Sequence, residues 1–497
     1  MNGVNETIEH LLYYASENLD LGVEDIMYAR NQLLELFQAQ PSDKKGQPKD
    51  LQTEILDELI AYALDKKMIE AGEEIRFETK IMGLVTPSCG LVVSTFEEYR
   101  DNLGIKVATD YLYNISIASN YIRLCDIKRN IFWCTLGKYG KVGITINLSK
   151  PEKDPKQVLA EKSFQGKKYP KCALCLENLG FPGTLTHPAR QTLRVVPIEL
   201  NGEKWHLQYS PYVYYDEHCI ALNDNHVPME INANTFARLL DFVEIFPHYF
   251  LGSNADLPIV GGSILSHDHY QGGKKVLPMF SRPFREIIYQ DDNVVMGIKD
   301  WYNSVVTIKG KNKQAVHKMA DRVLKKWIAY SDESVGILAY TTDRHNTITP
   351  IASMCGDEFV MDLILRNNRT DDKHPFGIYH PTEDMHNIKK EGIGLIEAMG
   401  LFVLPGRLQA EIKEMISILV SGEVDFIELK ENPRMQKHMH MIAEIVAENN
   451  QPLDRLTARK LVLKKIENAC FRILECTAVF KNNEEGQEAF IRFIKTI

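Results

Sequence analysis

The chain has 497 residues, enough for two or three domains at ~150 residues each. Hydrophobic residues make up 44% of it and charged residues 25%, a composition typical of soluble globular proteins. The net charge of −9 argues against a nucleic-acid or membrane partner, and no window approaches the ~20 apolar residues of a membrane helix. The N-terminus does not resemble a signal peptide and the nine cysteines do not suggest a disulfide framework, so a cytoplasmic location is expected.

The first part of the chain, residues 1–134, is predicted to be mainly helical. Its apolar residues recur at the spacing of one helix face, most clearly at Leu51, Ile55, Leu56, Leu59, Ile60 and Ala63. From Val142 to Leu148 the apolar period changes to two, which predicts a strand. The polar connection Ser149–Pro155 ends that strand and marks a plausible boundary.

Residues 135–290 and 291–405 are each predicted to combine strands and helices, followed by a helical region over 406–497. In the first half, short apolar runs alternate with Gly, Pro and Asn turns, which favours an antiparallel sheet. One strong helix interrupts them, beginning near the cap candidate Asn234 and stopping before Pro247. Its predicted buried residues are Phe236, Leu239, Leu240 and Val243.

Two cysteines stand at a spacing that suits a metal. Cys172 and Cys175 form a C-x2-C pair, which fits tetrahedral zinc if two more ligands come from elsewhere. The downstream histidines His226 and His267 are the candidate partners. Two small buried residues or a redox pair remain alternatives for the cysteines, and a turn or cap role remains one for His226.

The segment Gly261–Gly273 carries the strongest functional signal. His267, His269 and Gln271 occupy alternate positions between paired glycines, so an extended strand would project all three side chains to one side. Neutral imidazole can act as nucleophile, base or metal ligand near pH 7. Partly exposed histidines beside a turn are the alternative.

Charged residues elsewhere are candidates for binding an anionic substrate. Arg190 and Arg194 carry planar guanidinium groups that suit phosphate oxygens, although solvated surface arginines are the alternative. Lys389 and Lys390 could neutralise a phosphate, and Glu397 could bind sugar hydroxyls. Two further histidines, His438 and His440, lie in a helical segment and are expected on its surface face.

These segments together resemble the class II galactose-1-phosphate uridylyltransferases, a branch related to the histidine-triad nucleotidyl transferases and hydrolases. The resemblance runs over nearly the whole chain and is most specific in Gly252–Gly273, Tyr209–Met229 and Leu365–Leu408. In class I transferases the His-x-His-x-Gln motif supplies a zinc-ligating histidine, a uridylylated histidine and a glutamine at the phosphate. Related hydrolases generally carry a third histidine where Gln271 stands, so this residue favours transfer over hydrolysis.

The resemblance also implies site residues. His269 is the implied nucleophile, and Gln271 lies at the phosphate. The implied zinc ligands are Cys172, Cys175, His226 and His267, and no organic cofactor is expected. The implied nucleotide contacts are Asn254, Gly262 and Ser263, with Ser266 as an alternative serine, and the implied hexose side is Lys389, Lys390 and Glu397. Asp268 and Tyr270 depart from the class I pattern, which has proline and glycine there.

The fold class expected is α+β, with two histidine-triad-like half-domains, a largely antiparallel sheet and helical N- and C-terminal regions. The expected activity is exchange of UMP between UDP-glucose and galactose 1-phosphate through a uridylyl-histidine, in galactose metabolism. Its partners would be UDP-glucose, UDP-galactose and hexose 1-phosphates, with a homo-oligomer as a possibility. Two alternatives stay open: a histidine-triad nucleotide hydrolase or phosphorylase, and a non-catalytic nucleotide-sugar-binding regulator.

Overall fold

The computed structural model describes residues 3–149, 169–184, 186–262, 264–449 and 452–497. Contacts among them divide the chain into two compact units. The first unit lies within Met1–Arg129, Lys153–Val213 and Glu217–Val227, and the second within Asn130–Glu152, Tyr214–Asp216 and Pro228–Ile497. The predicted half-domains 135–290 and 291–405 stay a prediction.

Helices dominate both ends of the described chain, as predicted. In chain order they are α1 (Val4–Asn18), α2 (Val23–Phe37), α3 (Asp57–Asp65), α4 (Glu74–Leu84), α5 (Cys89–Leu103), α6 (Ile105–Ala118), α7 (Leu124–Ile127), α8 (Ala233–Ile245), α9 (Lys313–Ile328), α10 (Leu395–Ala398), α11 (Leu408–Ser421), α12 (Phe426–Glu431), α13 (Met439–Glu448), α14 (Arg455–Thr477) and α15 (Glu484–Ile494). No single described helix is long and apolar enough to cross a membrane; α4 and α5, bent by 63°, meet the length and composition requirement only as a pair.

The strands pair almost entirely antiparallel. In chain order they are β1 (Ile131–Gly137), β2 (Gly140–Asn147), β3 (Val196–Leu200), β4 (Glu203–Tyr209), β5 (Cys219–Asn223), β6 (Tyr249–Gly252), β7 (His269–Lys274), β8 (Phe284–Gln290), β9 (Val295–Lys299), β10 (Val305–Gly310), β11 (Asn346–Cys355), β12 (Glu358–Asn367) and β13 (Leu401–Pro405). The described fold is therefore α+β with a largely antiparallel arrangement, which confirms the expected fold class.

The described strands of the first unit form a meander in the order β3-β4-β5. β3 and β4 are joined by Asn201 and Gly202, whose φ angles of 54° and 71° are the left-handed values that a two-residue hairpin requires.

Ahead of the meander, Leu51–Leu56 forms a π-helical turn that leads into α3. Of the apolar stripe predicted there, all but Leu51 are buried, so the helical period was read correctly.

In the second unit the strand order is β7-β6-β11-β12-β10-β9-β8, and every neighbouring pair is antiparallel. β11 and β12 form its longest hairpin, and their residues are buried over almost the full length because both faces are covered. A smaller sheet has the order β1-β2-β13, in which β13 runs parallel to β2. Helix α8 packs on β6 and β11, beside α9.

Helix α8 follows the sequence prediction closely. The four residues expected to be buried, Phe236, Leu239, Leu240 and Val243, are all fully buried. The helix ends at Ile245, before Pro247. The cap, however, is Asn232 rather than Asn234: its side chain accepts from the backbone N–H of Asn234 and Thr235, and the Thr235 hydroxyl oxygen accepts the backbone N–H of Asn232.

His438 corrects a sequence expectation. Its neighbour His440 is exposed as expected, but the His438 side chain is fully buried. The reason is a carboxylate distant in sequence: Glu411 of α11 lies 2.9 Å from His438 Nε2 and also accepts hydrogen bonds from Arg407 and Lys437. Because the buried imidazole of His438 has a hydrogen-bond partner, it can lie in the core instead of on the surface of the helix.

The Glu411 cluster predicts a specific acid sensitivity. Burial alone would raise the pKa of this carboxyl, but the bonds from His438 and Lys437 outweigh it and lower the pKa to about 2. A lowered folded-state pKa contributes stability above the unfolded value near 4.5, and that stability is lost as pH falls toward 2. Between pH 6 and pH 3 this group should remove about 2 kcal/mol of unfolding free energy.

Urea unfolding at the two pH values checks this prediction. The loss should be smaller by that amount in Glu411→Gln, because an amide does not titrate. Glu414→Gln, at a more exposed side chain of the same helix, should show the parent's loss. Equal pH dependence in Glu411→Gln and the parent would contradict the assignment.

Candidate active site and metal centre

The predicted catalytic motif lies at the start of β7. The strand begins at His269, so His269 and Gln271 share one face, whereas His267 lies in the bend just before it rather than in the strand as expected. β7 pairs with β6 in a register that sets Gln271 opposite Gly252. His269 is buried and Gln271 is half-buried, which fits a site presented at one edge of a packed element.

The residues between the motif positions face helix α8. Arg238 of that helix lies 3.3 Å from the Asp268 carboxylate through Nη1, and the same nitrogen donates to the Tyr270 hydroxyl at 3.2 Å. One guanidinium therefore touches two alternate residues, which fixes them on the face opposite His269 and Gln271. The sequence analysis missed Arg238, since a single arginine in a helix carries no signal of its own.

The hydrogen bond of His269 defines which ring nitrogen carries the proton. Nδ1 lies 2.7 Å from the His267 carbonyl oxygen, which can only accept, so Nδ1 carries the proton and Nε2 carries the lone pair. Burial lowers the pKa of His269 to about 4, against a smaller opposing effect of this hydrogen bond. The imidazole is therefore neutral near pH 7, with an unprotonated Nε2.

The predicted metal ligands are gathered in the structure. The Sγ atoms of Cys172 and Cys175 are 3.5 Å apart, and Cys175 Sγ is 3.1 Å from His226 Nδ1. Together with His267, the four ligand atoms all lie within 4.8 Å of one another. A tetrahedral zinc with Zn–S bonds of ~2.3 Å separates its sulfur atoms by about 3.8 Å, so two thiols and two imidazoles at these distances fit such an ion.

An amide supports the cysteine pair from behind. Asn178 Nδ2 donates to the carbonyl oxygens of Cys172 and Cys175, each at 2.8 Å, and its Oδ1 lies 2.6 Å from His187 Nε2. These bonds hold the turn that carries both thiols. Asn178 is fully buried, which makes it a structural partner of the cluster that the C-x2-C spacing did not reveal.

Two of the predicted nucleotide contacts lie against each other. Gly262 leaves no room for a side chain, because an added Cβ would sit 2.6 Å from Asn254 Nδ2. Asn254 Oδ1 accepts the backbone N–H of Leu395 at 2.9 Å, which ties this loop to the predicted hexose segment. The third predicted contact, Ser263, lies outside the described residues, and Ser266 is exposed.

Two of the predicted hexose contacts form an ion pair between a buried lysine and a partly buried glutamate. Lys389 Nζ lies 3.0 Å from Glu397 Oε1, and Glu397 Oε2 accepts the Gly394 N–H at 3.1 Å. Burial alone would lower the pKa of Lys389, but Glu397 reverses this and raises it, so the ammonium stays charged. Lys390 is exposed, with its ammonium 5.5 Å from the ring centre of Phe376.

Strand β7 and the predicted hexose segment both approach Gly252 of β6. Gly252, opposite Gln271 in the register, would place an added Cβ 2.9 Å from the Leu395 side chain. Leu395 stands two residues before Glu397. The second unit therefore brings together Gln271, Asn254, Gly262 and the Lys389–Glu397 pair.

The two predicted phosphate-binding arginines lie in the first unit. Arg194 is buried, and its guanidinium donates to the backbone carbonyls of Pro87, Thr86, Gln191 and Leu193. Arg190 donates to the Ala189 carbonyl and lies 5.7 Å from the ring centre of Tyr121. Their predicted role thus rests on residue type alone, and for Arg194 the donors are already engaged.

Comparison with known proteins found matches over nearly the whole chain. Residues 20–228 match the family described as "Galactose-1-phosphate uridyl transferase, N-terminal domain", and residues 242–441 match its "C-terminal domain". Proteins named "Galactose-1-phosphate uridylyltransferase" are similar over nearly the whole chain. The Fusobacterium nucleatum protein is 46% identical over 99% of this chain and 98% of its own length, the Caldanaerobacter subterraneus protein 44% over 98% and 97%, and the Bacillus subtilis protein 43% over 98% and 97%. No solved structure matched the chain.

These matches define a nucleotidyltransferase enzyme. The chain belongs to the galactose-1-phosphate uridyl transferase family. The resemblance noted in the sequence is thereby confirmed.

Proposed function

We propose that the protein exchanges UMP between UDP-glucose and galactose 1-phosphate, with His269 as the nucleophile. The single observation that carries this proposal is the His269 hydrogen bond: the proton on Nδ1 is held by the His267 carbonyl, which leaves Nε2 free to attack. Family membership supplies the substrate class, because the relatives are named for galactose 1-phosphate uridylyl transfer.

The exchange would proceed in two balanced steps. Nε2 attacks the α-phosphorus of UDP-glucose, an N–P bond forms, and the P–O bond to glucose 1-phosphate breaks. The imidazole, now carrying the uridylyl group, keeps its Nδ1 proton on the His267 carbonyl. A phosphate oxygen of galactose 1-phosphate then attacks the same phosphorus, which yields UDP-galactose and returns neutral His269.

Neighbouring groups would stabilise charge on the transferred phosphate. Gln271 lies on the same strand face as His269, and its amide can donate to a phosphate oxygen without exchanging a proton. Asn254 and the backbone at Gly262 would extend this set of donors. Phosphoryl-type transfer depends mainly on such positioning and charge stabilisation.

The covalent step gives the first functional prediction. Incubation with UDP-glucose alone, stopped at high pH, should leave one uridylyl group on His269. His269→Ala should lose the adduct and lower turnover by at least ~10³-fold, because no other group takes over the nucleophilic step. Mass spectrometry of peptides and steady-state kinetics measure both, and the parent should show parallel-line double-displacement kinetics.

An exposed histidine provides the matched control. His440→Ala should keep the adduct and the parent's turnover. Full activity in His269→Ala, or the label on another residue, would overturn the mechanism. Steady UMP release from UDP-glucose alone would instead support the hydrolase alternative.

We propose further that Cys172, Cys175, His226 and His267 hold a structural zinc. The support is the donor set and its spacing, which suit four-coordinate zinc. When bound, zinc would supply a rigid tetrahedral anchor rather than reaction chemistry. His267 would then be fixed two residues before His269, and its carbonyl would stay aligned with Nδ1.

Metal content tests this site without relying on activity. Protein purified without chelators should contain about one zinc per chain, and Cys175→Ser should contain almost none, since one thiolate of four ligands is lost. Cys355→Ser, at an exposed cysteine, should retain the parent's zinc content. Elemental analysis that finds no zinc in the parent, or equal zinc in Cys175→Ser, would rule the site out.

We propose that Lys389, Lys390 and Glu397 bind the hexose phosphate side of the substrate. The Lys389–Glu397 pair lies in the same unit as Gln271 and Asn254, and its segment is tied to Asn254 through Leu395. A paired carboxylate still has lone pairs for sugar hydroxyls, and a partly buried acceptor discriminates between hydroxyl orientations.

Glu397→Gln should therefore change hexose preference. The ratio of kcat/KM for galactose 1-phosphate to that for glucose 1-phosphate should shift by about 10-fold, since a hydrogen bond to a charged acceptor is lost. Glu391→Gln, at an exposed residue of the same segment, should leave the ratio unchanged. An unchanged ratio in Glu397→Gln would mean that Glu397 is only the structural partner of Lys389.

A further inference from the structure

Arg366 of β12 carries a buried cation that the described residues leave partly unsatisfied. The residue is 3% exposed. Its Nη2 donates to the Ile393 carbonyl at 2.6 Å and more weakly to the Val260 carbonyl at 3.5 Å. Its Nη1 is buried and has no hydrogen-bond partner among the described residues.

No carboxylate in the described part of the chain forms an ion pair with Arg366. The charge of Glu397 partly opposes the lowering of the Arg366 pKa, but this carboxylate already accepts hydrogen bonds from Lys389 and from the Gly394 N–H. Burial lowers the pKa of Arg366 to about 10, which still leaves the guanidinium protonated at neutral pH. A buried charge without a counter-ion is costly, so this position calls for an anion.

The two carbonyls place Arg366 between the two proposed substrate segments. Val260 directly precedes Gly261 and Gly262 on the nucleotide side. Ile393 directly precedes the segment that ends in Glu397 on the hexose side. The guanidinium therefore lies where a phosphate that links or ends these two groups would be held.

The segment over Arg366 is also strained. Ile259 has φ = 74°, a left-handed value that is unfavourable for a β-branched residue. Two glycines pack closely against Ile259. An added Cβ at Gly377 would lie 3.0 Å from the Ile259 side chain, and an added Cβ at Gly392 would collide with the Ile259 carbonyl oxygen. Strained backbone conformations cluster at active sites, ligand clamps and switch regions.

We propose that Arg366 binds a phosphate oxygen of the substrate through Nη1, once the Ile259–Val260 segment moves aside. The inference rests on the proposed function for the identity of the substrate, but phosphate binding can be measured without turnover. Arginine suits the role because its planar fork can keep one nitrogen on the Ile393 carbonyl while another binds the anion.

Calorimetric titration of Arg366→Lys and Arg366→Gln tests the proposal, with glucose 1-phosphate, UMP and inorganic phosphate as separate ligands. The Kd of the phosphate ester that reaches Arg366 should rise about 30-fold or more in both variants. Weakened glucose 1-phosphate binding alone would assign the hexose phosphate, and weakened UMP binding alone would assign the α-phosphate. Uridine, which has no phosphate, should bind as tightly as to the parent.

A paired arginine of the same unit gives the control. Arg282 is bonded to the side chain and the carbonyl of Asp300, and Arg282→Gln should leave every Kd unchanged. If Arg366→Gln does not fold, Arg366→Lys decides, because it keeps the charge and loses only the fork. Parent-like Kd values for all three phosphate ligands, with a lowered unfolding temperature, would overturn the proposal and make Arg366 a structural anchor.

The outcome is separable from that of the proposed function. Loss of phosphate affinity in Arg366→Lys, together with no uridylyl adduct on His269 of the parent protein, would support the phosphate site and overturn the histidine mechanism. An adduct on His269 of the parent, with unchanged phosphate affinity in Arg366→Lys, would support the histidine mechanism and overturn the phosphate site.

Discussion

The site depends on the antiparallel register between β6 and β7. With Gly252 opposite Gln271, His269 and Gln271 share one face and Tyr270 takes the other. A slip of one residue would exchange the two faces along the whole strand. Arg238 opposes such a slip, since it contacts both Asp268 and Tyr270 from α8, and removing it would leave a buried carboxylate without this cation. The orientation of His269, and with it the position of Nε2, therefore depends on the β6–β7 register, which contacts on the opposite face of β7 stabilise.

Buried charges in the second unit are arranged around the proposed substrate segments. Lys389 and Glu397 neutralise each other, and so do Arg238 and Asp268, whereas Arg366 has only carbonyl partners among the described residues. The C-terminal helical region forms hydrogen bonds with the chain just before Lys389. The Asn387 side chain lies 3.2 Å from His438 Nδ1, and Arg407 donates to the Asn387 carbonyl and to Glu411. Asn387 stands two residues before Lys389, so the Glu411–His438 pair anchors the segment that carries this lysine, which we propose binds the hexose phosphate.

The sequence predicted what depends on local periodicity and on motif spacing. The buried face of α8, the α+β class and the family all follow from such patterns, and so does the grouping of Cys172 with Cys175. What it missed depends on partners far apart in the chain. His438 reads as a surface residue until Glu411, 27 residues away, is seen beside it. In the sequence, Arg366 is simply a polar residue that follows an apolar run. Only the fold shows that it lies between the carbonyls of Val260 and Ile393. The predicted cap of α8 lay two residues from the observed one, because Asn232 and Asn234 are equally good cap candidates in the sequence.

The departures from the class I pattern acquire a physical explanation. Asp268 and Tyr270 replace the proline and glycine of that pattern, and both contact Arg238 rather than the face of His269 and Gln271. A proline at position 268 could not supply a carboxylate for Arg238, and a glycine at position 270 could supply neither the hydroxyl nor the buried ring. Arg238, Asp268 and Tyr270 therefore form one hydrogen-bonded group. The face that carries His269 and Gln271 can stay the same while this supporting face changes. Substitutions at Asp268 or Tyr270 should consequently act through the position of His269 rather than through contact with substrate.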